Sequence, residues 1–117
     1  MTAKELLINI LSTYNENVYL QGTIEPEETL PDAFITFRQI DSDTQLSFDN
    51  EDALTTYTFN VNFYSTDPEQ VNTTPQLIRK ELKKYGFIPH GKGYDLMTQN
   101  VNYTAWALEF DYIERQE

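Results

Sequence analysis

Between Thr55 and Ser65 the chain alternates strictly, with Tyr57, Phe59, Val61 and Phe63 separated by Thr58, Asn60, Asn62 and Tyr64. Successive side chains of a β-strand point to opposite faces, so this period predicts a strand with one apolar face. The pattern returns over Asn102 to Glu114, where Trp106, Leu108, Phe110 and Tyr112 share one face and Glu109 and Asp111 the other. Val18-Tyr19-Leu20 is a brief strand candidate. Ala33 to Ile40 carries Phe34, Ile35 and Phe37, residues that suit a pleated, half-buried surface. Phe87 to Thr98 holds the turn Pro89-His90-Gly91-Lys92-Gly93 between short strand pieces.

A helical spacing governs Thr2 to Asn15. Leu7, Ile10, Leu11 and Tyr14 fall at i, i+3, i+4 and i+7, one buried stripe. Thr2 and Glu5 make a capping box at its start. A second helix is predicted from about Thr74 to Tyr85, with Pro75 in its first turn, where the missing N–H costs nothing, and Gly86 as its stop. Leu77, Ile78, Leu82 and Tyr85 are its expected buried face. Arg79, Lys80, Lys83 and Lys84 lie away from that face, near the C-terminus where positive charge suits the helix dipole. Asp67-Pro68-Glu69-Gln70 can start a helical turn of its own.

Two stretches break the pattern. Glu25 to Pro31 holds two prolines and three acids and reads as a loop. Asp41 to Asp52 is the most polar stretch, with Asp41, Asp43, Asp49, Glu51 and Asp52 around Leu46 and Phe48, and reads as a long hairpin connection with an exposed tip. Strand runs split by one helix predict an α+β fold: a mainly antiparallel sheet of about five strands, two helices on one face, in the order α-β-β-β-α-β-β.

Composition adds bounds. The 117 residues fit one domain, residues 1–117, and a 39% hydrophobic fraction with 7 Phe and 8 Tyr can fill one core. There is no Cys, which excludes a disulfide framework and a thiolate metal site. No signal peptide and no membrane span are expected, and the sequons at Asn72 and Asn102 then fall by chance. The net charge of -11 argues against a direct nucleic-acid grip, which needs clustered Lys and Arg. Residues 1–70 hold 13 acidic and 2 basic side chains, whereas residues 71–117 hold 6 of each. That asymmetry suits head-to-tail packing of acidic on basic surfaces, although solubility alone accounts for many acidic domains.

Little points to chemistry. His90 is the only His and reads as a solvated turn residue. Gly91-Lys92-Gly93 lacks the earlier Gly and following hydroxyl of a phosphate loop, so turn geometry is its expected role. Asp41-Ser42-Asp43 opens like a calcium loop, but Leu46 stands where Gly is required and Asp52 where a bidentate Glu belongs. No catalytic residues, cofactor or metal are expected.

The run from Tyr57 to Pro68, ending in Phe63-Tyr64-Ser65, leads to the Lys-rich Ile78 to Lys84 segment, then Gly86-Phe87, the Gly-rich turn and the closing strand Glu109-Phe110-Asp111-Tyr112-Ile113-Glu114. This order over roughly residues 30–115 resembles the small tail-completion, or tail-terminator, proteins of long-tailed phages and prophages of Gram-positive bacteria. The resemblance implies an α+β subunit that forms a ring, typically a hexamer, on the tail tube and joins it to the head connector protein. The implied location is the virion tail, and the host cytoplasm during assembly. On this reading Asp41, Asp43, Asp49, Glu51 and Asp52 face the ring lumen or a tail or head partner. Arg79, Lys80, Lys83 and Lys84 meet acids of a neighbouring copy. A head–tail connector stopper or adaptor, and an acidic protein that mimics DNA to inhibit an enzyme, are the alternatives.

Overall fold

The computed structural model describes residues 2–20, 31–46, 53–98 and 102–116, with the backbone alone at 41–46, 53, 115 and 116. The fold is α+β, with two helices and a six-stranded mixed sheet. Helix α1 spans Ala3–Leu11, and Thr2 caps it by accepting from the Glu5 amide at 3.1 Å. It ends before the expected Asn15. The chain tightens there: the Thr13 and Tyr14 amides donate to the Ile10 and Leu11 carbonyls three residues back, at 3.1 and 3.0 Å, and the Ser12 and Thr13 hydroxyls also donate to the Ile8 and Ile10 carbonyls. Leu7, Ile10 and Leu11 are buried as their spacing predicts.

Helix α2 is one unbroken element, Pro68–Lys84, and not a short turn followed by a helix from Thr74. Asp67 caps it by accepting from the Glu69 amide at 3.0 Å, and Pro68 occupies the first turn. Pro75 therefore lies in the helix interior, where a proline costs about 3 kcal/mol. Its complete burial offsets part of that cost. The longer helix also resets the buried face. Val71, Pro75, Ile78 and Leu82 are buried, while Leu77 and Tyr85 are 52% and 51% exposed. Neighbouring helical residues differ by about 100° in direction, so a stripe through Val71 and Ile78 must leave Leu77 outside it.

The strands are β1 (Val18–Leu20), β2 (Ala33–Leu46), β3 (Ala53–Ser65), β4 (Ile88–Pro89), β5 (Tyr94–Leu96) and β6 (Thr104–Gln116). They lie in the order β1-β2-β3-β6-β4, and β5 also pairs with β6. β1 runs parallel to β2, and the other pairs are antiparallel. The sixth strand arises because the Gly-rich turn separates two short pieces, β4 and β5, along the same edge of β6. β2 continues through Asp41 to Leu46, a segment expected to be connection. Backbone ladder bonds do not depend on side-chain polarity, and the long β3 offers a template for them. A register shift between Gln39 and Asp41 marks a bulge where the polar part begins.

The core lies between the helices and one face of the sheet. Leu7 and Leu11 of α1 and Ile78 and Leu82 of α2 join Ile35, Phe37, Phe59, Val61, Phe63, Leu108 and Phe110 in one cluster. Phe87, just after α2, tilts against Phe59 and Tyr112.

Candidate functional site

Both helices cover the same sheet face, so the alternate residues of β2, β3 and β6 form a second, outer face. Its rows follow from the register. Arg38, Asn60 and Glu109 stand side by side across the three long strands. Thr36, Asn62 and Ala107 form the next row, extended by Tyr94. Phe34, Tyr64 and Ala105 form the third, extended by Leu96. At this end Phe34 stacks on Tyr64 with centroids 4.6 Å apart, while Tyr19 and Tyr103 meet Phe34 edge-on.

Next to that aromatic group lies a hollow of about 290 Å³ between Arg38, Tyr64, Tyr94, Met97 and Glu109. Asn60 and Asn62 line it, yet are only 6% and 2% exposed. Asn62 Nδ2 donates to Asn60 Oδ1 at 2.8 Å and to Thr36 Oγ1 at 3.3 Å, and Asn60 Nδ2 donates to the Leu108 carbonyl at 3.3 Å. Asn62 Oδ1 is buried and accepts no hydrogen bond from the protein. Arg38 and Glu109 form no ion pair with each other. A smaller hollow, about 270 Å³, lies at the start of α1 beside Gln39, Tyr57 and Glu114.

Toward the other end of the outer face, Asp111 accepts from Thr58 Oγ1 at 2.7 Å and lies 3.0 Å from His90 Nε2. Partial burial works to raise the Asp111 carboxyl, but the hydrogen bonds from His90 and Thr58, with the attraction of the imidazole charge, outweigh it and hold the group below the usual aspartate range. His90 is solvent-exposed, its side chain 41% accessible, as expected of a turn residue, and it is anchored by Asp111 as well. Its amide donates to the Glu109 carbonyl at 2.9 Å, which brings the ring over Asp111. His90 lines neither hollow.

The sequence-predicted residues fall on separate elements. Asp41 and Asp43 lie within β2, at the register positions of Thr58 and Thr56, while Asp49, Glu51 and Asp52 lie outside the described residues. A paired strand from Asp41 to Leu46 is not the tight turn that a calcium loop requires. Among the described residues no group of three or more His, Asp or Glu is arranged to hold a metal ion. The basic set divides. Arg79 Nε donates to the Gly91 carbonyl at 2.9 Å, and Lys84 sits 3.6 Å from Glu81. Lys80 and Lys83 are exposed on α2. Gln76 and Trp106 both donate to the Lys92 carbonyl, so α2 and β6 together hold the Gly-rich turn.

Arg38, Asn60, Asn62 and Glu109 were not singled out by sequence reasoning. The period-two pattern assigns them to the polar face of their strands, which normally means solvent. The available signal was the pair Asn60 and Asn62 in mid-strand, since Asn is a poor strand former. Comparison with known proteins adds no name: no protein-family model matches the chain, and no curated protein matches it. Among the described residues no helix is long and apolar enough to cross a membrane.

Proposed function

We propose that this chain is a structural subunit of a phage or prophage tail, of the tail-completion or tail-terminator kind, which works by docking on other polypeptides. The observation that carries this reading is the outer sheet face. Leu54, Ile88, Tyr94 and Ile113 are at least 39% exposed and the strand register assigns them to that face, while Ile40 and Met97, 42% and 100% exposed, line the hollow on it. Exposed apolar side chains interspersed with charged ones on one sheet face suit docking on another polypeptide. The resemblance over residues 30–115 narrows the class of assembly.

Magnitudes favour assembly on a template. Burying a half-exposed apolar side chain is worth roughly 1 kcal/mol, so this face supplies about 6 kcal/mol. Association costs roughly 4–15 kcal/mol in lost freedom. One such contact barely suffices, whereas a ring seated on a tail tube makes several at once. The expected partners are further copies of the chain, the tail-tube protein and the head connector protein.

The test is deletion of the reading frame from the phage or prophage that carries it, with electron microscopy of the lysate. Unjoined heads and tails of irregular length are the expected result. Normal virions at full yield would overturn the proposal. In a second arm, Ile113→Asp leaves the thermal midpoint nearly unchanged but abolishes binding to isolated tail tubes, followed by light scattering.

A further inference from the structure

Arg38 is exposed on β2 and Glu109 is half-buried on β6, and among the described residues neither forms an ion pair. Both belong to the outer face, and Asn60 of β3 stands between them in register. Neighbouring strands lie about 4.8 Å apart, so each charge sits one strand spacing from the same central residue, a cation on one side and an anion on the other.

That arrangement is self-complementary. β2 and β6 are both antiparallel to β3, so they run in the same direction. A two-fold axis above β3 and along it lays the β2 of a second copy over the β6 of the first, with directions matched. Arg38 of each copy then faces Glu109 of the other, twice in one contact. Stacked sheets lie about 10 Å apart, a gap that an arginine and a glutamate span between them. The hollow of about 290 Å³ between Arg38 and Glu109 leaves room for the incoming guanidinium. The same axis acts on the next row, whose outer members are Tyr19 of β1 and Tyr94 of β5, and sets each tyrosine over the other. In the row on the opposite side the outer register positions are Asp41 and Asp111, both acids, so that row adds no attraction. There His90 already lies 3.0 Å from Asp111, and the crossing of about 30° between stacked sheets carries the two positions apart. A chain of other sequence has to supply an acid and a base at the matching separation, whereas a second copy supplies both by symmetry.

We infer that two free copies of this chain pair face to face across the outer surface, with reciprocal Arg38–Glu109 contacts about a two-fold axis along β3. The inference rests on the reading of the outer face as a docking surface and names what covers it before a tail tube is met.

Sedimentation equilibrium of the full chain reads the association, at about 0.15 M salt, where long-range repulsion between two acidic copies is screened. A monomer–dimer equilibrium is expected, with a Kd on the order of 0.1 mM. Arg38→Glu and Glu109→Arg should each weaken it roughly a hundred-fold, because each sets like charges opposite one another twice. Mixed in equal amounts, the two variants should pair again, since every charge contact of the mixed pair joins unlike signs. The chain carrying both exchanges should dimerise like the wild type, and it decides the matter if a single variant fails to fold. A wild type that stays monomeric at about 1 mM would overturn the inference, and this is the result if only a tail tube covers the face. Single variants that dimerise unchanged, or a mixture and a double exchange that both stay monomeric, would overturn it too. A monomeric wild type beside tail-tube binding lost in Ile113→Asp would leave the assembly reading standing alone. A charge-dependent dimer beside normal virions from the deletion would leave the pairing standing alone.

Discussion

The indole N–H of Trp106 donates to the Lys92 carbonyl at 2.8 Å, which pins the Gly-rich turn flat against β6. The approach is close enough that a β-carbon on the next residue, Gly93, would collide with the Trp106 indole and the Ala107 carbonyl. Gly93 also has φ +94, while Gly91 has φ +72 but open space around it. Gly93→Ala is therefore expected to cost about 2–4 kcal/mol, strain plus overpacking, and Gly91→Ala only about 1–2 kcal/mol. Urea unfolding of both variants checks this, and equal losses would mean that the turn does not press on β6.

Adjacent residues of α2 should behave oppositely. Ile78 is fully buried and Leu77 is 52% exposed. Ile78→Ala should destabilise by about 2–5 kcal/mol. Leu77→Ala should change stability by no more than about 0.5 kcal/mol. Denaturant midpoints decide between this burial and the face read from sequence, on which both losses would be large.

Asp111 makes stability depend on acid pH. Its folded carboxyl is held below the unfolded value, so its contribution is present above the unfolded pKa, about 3.9, and fades as pH falls through the lower folded value. Relative to the wild type, Asp111→Asn should be less stable at neutral pH, and the gap should close as pH drops below about 4. Urea midpoints measured across that range provide the test. A gap that stays constant with pH would show that the carboxylate charge is not involved.

The basic residues of α2 should separate by role. Arg79→Ala removes the bond to the Gly91 carbonyl and should lower stability by about 1 kcal/mol. The exposed pair Lys80→Glu with Lys83→Glu should keep the fold, at a cost of about 1 kcal/mol from reversed charge near the helix C-terminus. It should weaken binding to tail tubes most at low salt, where charge contacts are least screened. Unaltered binding at low salt would remove these lysines from any interface.

The periods written in the chain were enough to determine the element types, the apolar faces of α1, β3 and β6, and the α+β class. Burial of Leu7 and Leu11, or of Phe59 and Phe110, follows from spacing because each element had to hide one stripe. Spacing could not decide how far the elements run. Where β2 ends depended on the ladder offered by β3, which carried strand pairing into the polar Asp41 to Leu46. Where α2 begins depended on the Asp67 cap and on packing of Pro75, and that choice moved Leu77 out of the core. The outer face also belongs to the tertiary structure alone. Asn62 and Asn60 are polar positions in any reading of the sequence. Only the side-by-side alignment of three strands buries them together, between a cation on one strand and an anion on another, because those neighbours are far apart in the chain and meet through register.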